Sequence, residues 1–171
     1  MPASSPTPAI AIRSATKNDI TEILACLHAA FAPYRDLYSV AAYLDTVLNP
    51  ETLRDRLEHM QVFVAKTSSG QIVGTIACQA ISLGEGHLRG MAVFPTCQGT
   101  GIAAQLLNHA EAELRRQNCT RITLDTTAPL EPAMRFYEKF GFRRSGKIAD
   151  FFGMPLFEYH KPLLPADTCC T

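Results

Sequence analysis

Apolar residues recur along this chain in two periods, and the switches between them lay out the elements. Ile10-Ala11-Ile12-Arg13 alternates and predicts a short strand, after which Ile20, Ile23, Leu24 and Leu27 recur at helical spacing. Thr16 stands as an N-cap with Asp19 three residues on, so a helix is expected over residues 17–30. Pro33 disfavours helical backbone before it and breaks that helix at 31–35. Two more helices are expected, Val40–Leu48, stopped by Asn49-Pro50, and Pro50–Met60, which Pro50 opens as an N1 proline.

The middle of the chain changes to strand patterning. Val62–Ala65 and Ile72–Cys78 flank Ser68-Ser69-Gly70, a hairpin signal, and Gly84-Glu85-Gly86 turns into a strand over His87–Phe94 that Pro95 ends. The longest helix, Gly101–Gln117, lines up Ile102, Leu106, Leu107, Ala110 and Leu114 as one apolar stripe. Arg121–Thr126 reads as a strand and Pro132–Phe140 as a helix with Gly141 at its C′ position. Phe142-Arg143 and Pro155–Lys161 close the pattern as strands. This order implies a three-layer α/β (α+β) plan, a mixed and mostly antiparallel twisted sheet flanked by helices.

A chain of 171 residues suits one domain. Residues 1–9, rich in Pro, Ser and Thr, read as a disordered lead, 10–163 as the domain and 164–171 as a flexible tail. The lead has no basic patch or apolar core of a signal peptide, and no apolar run nears the ~18 residues of a membrane span. A cytoplasmic protein without a membrane partner is expected. Lys plus Arg and Asp plus Glu both number 16, with no basic cluster, which argues against a nucleic-acid partner. Cys26, Cys78, Cys97, Cys119, Cys169 and Cys170 lack metal-ligand spacing, as do His28, His59, His109 and His160, so no metal site is expected.

The chemistry concentrates in Met91-Ala92-Val93-Phe94-Pro95-Thr96-Cys97-Gln98-Gly99-Thr100-Gly101-Ile102-Ala103. A strand stops at a proline, and two glycines usher in the long helix. A helix N-terminus offers unsatisfied N–H groups and the positive end of the dipole to an anionic phosphate. Gly99 and Gly101 let the backbone approach a diphosphate that a Cβ would hold off. Gly101 is followed by Ile102-Ala103 where a P-loop needs Lys-Ser/Thr, and Ala104 stands where a dinucleotide fingerprint from Gly99 needs glycine. Nucleotide binding is therefore the weaker reading.

Gln98-Gly99-Thr100-Gly101-Ile102-Ala103 resembles the Gln/Arg-x-x-Gly-x-Gly/Ala signature of the GCN5-related N-acetyltransferases. Ile12-Arg13-Ser14-Ala15-Thr16-x-x-Asp19 is similar to that family's opening strand and helix, and Ala133-x-x-Phe136-Tyr137-x-x-x-Gly141-Phe142 to its second motif. The resemblance covers residues 10–162. It implies that acetyl-CoA is the cosubstrate, with its pantetheine arm along Met91, Ala92 and Val93 and its pyrophosphate on the amides of Gln98, Gly99, Thr100, Gly101, Ile102 and Ala103. It also implies that the strand near Leu124 splays away to leave a slot for the thioester. One departure is Leu130, where the family often carries an asparagine that touches the cofactor.

Acyl transfer to an amine whose pKa is near ~10.4 needs a base for the ammonium proton and an acid for the departing thiolate. By the resemblance Tyr137 is the acid and contacts the cofactor sulfur. His87 is the leading base, four residues before Met91 at a position where family members carry a general base. Histidine also titrates near neutral pH. Glu85 and an ordered water are the alternatives. Strand alternation places His87, Arg89 and Met91 on one face. Arg89 is a candidate contact to the acceptor or the cofactor, and Tyr34, Arg35 and Tyr38, in the loop that walls the family's acceptor pocket, are specificity candidates. Cys97 is taken as structural.

The expected activity is direct acetyl transfer to a primary amine, a small molecule or amino acid, by a monomer or homodimer. A peptide or protein N-terminus is the alternative acceptor, and an acyl-CoA-binding regulatory module without turnover is the alternative function.

Overall fold

Local chemistry sets the helix starts. Thr16 and Asp19 form a reciprocal capping box before helix α1 (Ile20–Phe31), whose first turn is entered through a 3₁₀ turn at Lys17–Asp19. Asp19 is also clamped by both guanidinium nitrogens of Arg13, at 2.7 and 2.8 Å. The breaker segment 31–35 is itself wound, as a 3₁₀ helix over Ala32–Leu37. Ser39 then caps α2 (Val40–Val47), and Asn49 with Thr52 caps α3 (Pro50–His59), with Pro50 in the first turn.

The computed structural model describes residues 9–165. The lead before Ala9 and the tail from residue 166, with Cys169 and Cys170, lie outside the described residues. Seven strands follow one another across a single sheet in the order β1-β2-β3-β4-β5-β7-β6. They are β1 (Ile10–Ser14), β2 (Gln61–Thr67), β3 (Ile72–Ser82), β4 (Glu85–Val93), β5 (Arg121–Thr127), β6 (Arg143–Phe151) and β7 (Met154–Pro162). Only β4 and β5 pair in parallel, because α4 (Ile102–Arg116) crosses between them. Every other pair is antiparallel.

Each face of the sheet has its own core. Under α4, Ile76, Leu106, Leu107, Leu114, Ile122, Leu124, Phe142 and Tyr159 are buried together. Under α1 and α3, Ile23, Leu27, Leu53, Val62, Val64 and Ala92 form the second cluster. Burying one such leucine stabilises the fold by about 1.5–3 kcal/mol. Gly86 lets α4 come close, since a Cβ there would stand 2.7 Å from the Leu114 methyls.

Two local expectations are corrected. The strand expected at 142–143 is the nine-residue β6, which turns through Phe152-Gly153, both at positive φ, into β7. Second, β4 carries a bulge, because Ala77 faces Arg89 and Thr75 faces Ala92, so that Gly90 and Met91 of β4 stand against Ile76 alone of β3. Gly90, at φ +60°, absorbs it.

These two strands also position the site. The β4–β5 ladder ends at Leu88 opposite Leu124, although β4 runs on to Val93 beside β3 and β5 to Thr127 beside β7. The strands part there, leaving one edge of each unpaired. Among the described residues no helix is long and apolar enough to cross a membrane.

Candidate active site

The parting of β4 and β5 opens into a cavity of about 790 Å³. It runs from Gly99 and Gly101, before α4, past Met91, Ala92 and Val93 to His87, Arg89 and Asp125, and α5 (Glu131–Lys139) closes one side with Tyr137. The bulge decides what faces what. His87 and Arg89 share a face as alternation requires, but after Gly90 the phase slips. Met91 packs with the cluster under α4 and Ala92 with the cluster under α1. The expectation that Met91 shares the face of His87 and Arg89 is thus corrected.

The loop before α4 is built on its glycines. Gly99 (φ +78°) and Gly101 (φ +87°) both hold left-handed backbone, and beyond its chain neighbours no described residue lies within 4 Å of a Cβ built on either. The space they keep open is therefore not filled by the fold itself. Gly101 is the N-cap of α4, so the amides of the first turn have no partner within the helix. Gln98 donates from its side chain to the Val93 carbonyl at 3.0 Å, tying the loop to the end of β4. Thr100 turns its hydroxyl back onto the Cys97 carbonyl and stands outside the cavity lining, which does include Cys97. Within the slot, the buried Thr126 hydroxyl has no hydrogen-bond partner among the described residues. A phosphate-bearing ligand with an amide-rich arm fits this set, since it would meet open glycine backbone, free helix amides, an unpaired strand edge and an orphan hydroxyl.

Tyr137 lies edge-on to Phe136 and Phe142, and its hydroxyl bonds to no described residue. Burial pushes the phenol well above its ordinary value, so it keeps its proton at neutral pH. His87 is held by Thr123, Nδ1 to Oγ1 at 2.8 Å, and its Nε2 stands 3.6 Å from Asp125 Oδ2, too far for a direct hydrogen bond. Burial lowers the imidazole's pKa, with Arg89 adding to this and Asp125 opposing it. Burial likewise raises the Asp125 carboxyl, against the pull of His87. Glu85 is paired with Arg121 at 3.0 Å and lies outside the cavity lining, which counts against it as a base.

Of the specificity candidates, Tyr34 lines the cavity, and Tyr38 is buried with its hydroxyl 2.7 Å from that of Thr127. Arg35 instead stands exposed over the Tyr43 ring, off the cavity. Leu130 lines the cavity as the N-cap of α5 and gives that helix no side-chain cap. Sequence reasoning missed Asp45, Arg56, Thr123, Asp125, Thr126 and Thr127. Only the β5 group had a signal, the alternation Arg121-Ile122-Thr123-Leu124-Asp125 beside the expected slot.

This fold and cavity have known counterparts. The acetyltransferase (GNAT) family model matches residues 22–142, and the chain belongs to that family. Among curated proteins it is 30% identical to the N-acetylaspartate synthetase of Danio rerio over 66% of this chain and 42% of that one. The chain spans between 36% and 55% of the length of the curated relatives it matches. The PaiA N-acetyltransferase of Thermoplasma acidophilum, solved in complex with coenzyme A, superposes with a TM-score of 0.76 at 18% identity, over 90% of this chain and 99% of that one. The ribosomal-protein-alanine N-acetyltransferase of Brucella melitensis gives a TM-score of 0.70 at 22% identity, over 90% and 99%. Among the described residues no group of three or more acidic, His or Cys side chains is placed to hold a metal.

Proposed function

We propose that this chain transfers an acetyl group from acetyl-CoA directly to a primary amine on a small molecule or amino acid. The observation that carries the reading is the parting of β4 and β5 over one cavity that joins the glycine loop of α4 to His87 and Asp125. Family membership and the fold shared with a coenzyme A complex support it.

Bound acetyl-CoA supplies an acyl carbon activated as a thioester. The amides of Gln98 to Ala103, at the positive end of α4, hold its pyrophosphate. The unpaired edge of β4 from Arg89 to Val93 pairs with the amides of its arm, and an N–H at Met91 or Ala92 stabilises the negative charge that builds on the carbonyl oxygen. Tyr137 delivers its proton to the departing sulfur. His87 takes the proton from the acceptor's ammonium. Four residues of extended strand span about 13 Å, so that proton travels by water, with Thr123 fixing one ring nitrogen and Asp125 facing the other. The nitrogen bonds to the acyl carbon, the carbon–sulfur bond breaks, and the nitrogen's second proton passes to the Tyr137 oxygen, so the products are an amide and the free thiol.

The test is product formation followed by mass spectrometry, with acetyl-CoA and a panel of amines, polyamines, amino acids and short peptides. An acetylated amine or amino acid is expected, whereas product from peptides alone would move the acceptor to a polypeptide N-terminus. No product, with acetyl-CoA still raising the melting temperature, would leave a binding module without turnover.

A further inference from the structure

Among the described residues, Arg56 is a cation with no carboxylate in direct contact. It projects from α3 into the cavity and lies against Gly90 at the β4 bulge, where a Cβ would collide with its guanidinium. It makes no hydrogen bond or ion pair with any described residue, whereas Arg13, Arg89, Arg116 and Arg121 each meet a carboxylate. The acid that bears on it is Asp45 of α2, and Asp45 accepts from Arg89 at 3.4 Å. Arg89 takes the contact with that carboxylate and also feels Asp125, so Arg56 is the guanidinium at this end of the cavity left without a carboxylate in direct contact. Burial and Arg89 pull the Arg56 guanidinium down to about 10, with Asp45 opposing. An unmatched charge that is partly out of water is costly to keep unless something arrives to pair with it.

We propose that Arg56, with Arg89 beside it, anchors a carboxylate of the acceptor, which makes the acceptor an amine that carries a carboxylate, such as an α-amino acid. The assignment rests on the acetyl-transfer reading. Gly90 directly precedes Met91 and Ala92, whose amides face the acyl group in that reading. A carboxylate held at Gly90 therefore sets an amine a few bonds away beside the reacting carbon. A guanidinium fork suits this because it meets both oxygens of a planar carboxylate and fixes the direction of the amine. The cofactor's own phosphates are accounted for elsewhere, at the loop that begins beyond the far end of β4.

The experiment compares amino acids with their carboxamides, which replace the carboxylate by a neutral group of the same shape, each assayed at a pH where the amine of both is equally protonated. The wild-type protein is expected to favour the acid over its amide in kcat/KM by roughly 10- to 100-fold, the range for a hydrogen bond to a charged group. In Arg56→Gln that ratio falls toward one while acetyl-CoA raises the melting temperature as in wild type, and Arg56→Lys restores part of the ratio. Equal rates on acid and amide by the wild type would overturn the assignment, as would an undiminished ratio in Arg56→Gln. Product only from amines without a carboxylate would overturn it too. If acetyl-CoA fails to shift the melting temperature of the wild type, the acetyl-transfer reading falls, and this inference with it.

Discussion

The glycine loop before α4 allows backbone strain to be separated from ligand approach. Gly101 sits at φ +87°, and beyond its chain neighbours no described residue lies within 4 Å of a Cβ built on it. Gly101→Ala therefore costs left-handed strain and no clash, roughly 1–2 kcal/mol. In a chain of this size that lowers the melting temperature by about 2–8 °C. Asn tolerates left-handed backbone better, so Gly101→Asn should lose less. Both variants place a Cβ where the pyrophosphate is proposed to approach. Gly146→Ala is the control, since Gly146 has φ +90° and open space but lies on β6 away from the cavity. The assay is thermal unfolding with and without acetyl-CoA. At a hundredfold excess over Kd the ligand stabilises wild type by about 2.7 kcal/mol, and a tenfold weaker site keeps about half of that. The expected pattern is Ala less stable than Asn without ligand, the acetyl-CoA shift cut in both Gly101 variants, and the full shift in the Gly146 control. A wild-type shift in Gly101→Asn would refute the idea that this glycine keeps space for the ligand.

Three further outcomes follow from the same geometry. Because burial lowers the His87 pKa, the rate limb it governs should rise with pH below the ordinary value near ~6.5, and His87→Ala should remove that limb from the kcat/KM profile. The same shift favours the neutral ring in the fold, so the stability it contributes is present above the ordinary histidine value and lost as pH falls through the lowered one. Tyr137→Phe should cut kcat by roughly 10²–10⁴ while sparing acetyl-CoA affinity and stability, since the lost hydroxyl has no protein partner; a kcat within about tenfold of wild type would remove Tyr137 as the acid. Asp19, which Arg13 holds down to about 2, should lend stability that is full above the ordinary carboxylate range and is lost as pH falls toward that value. Asp19→Asn should cost roughly 1–3 kcal/mol in denaturant unfolding near neutral pH, and a cost that persists unchanged near pH 2 would refute the charge-based account.

Much of the fold was legible because period and capping agreed. Thr16 with Asp19, Asn49 with Pro50, and the stripe from Ile102 to Leu114 each announce an element that the structure contains. β6 was illegible for a physical reason. It is the outer strand of the sheet, nearly every residue of Arg143–Phe151 is exposed, and without a buried face there is no alternation to read. The β4 bulge was hidden as well, because nothing in Arg89-Gly90-Met91 marks an extra residue until the partner strand is known. That single residue is what turned the expectation for Met91 to the wrong face.

The two halves of the site differed in legibility for the same kind of reason. A site that grips its ligand through backbone must place glycines at set positions within one loop, so Gly99 and Gly101 stand out in sequence, each required by its positive φ. A site that selects its ligand through side chains can draw them from anywhere the fold brings close. Asp45 comes from α2, Arg56 from α3, Arg89 from β4 and Asp125 from β5, and no single stretch of sequence brings them together. In the proposed reading the cosubstrate is thus written in contiguous sequence and the acceptor is not. Relatives that share the loop can diverge in what they acetylate by changing single charges on helices that never touch it. Among the described residues, the unmatched Arg56 is where that divergence is most open to test in this chain, because it is the cavity's arginine that no carboxylate of the fold meets.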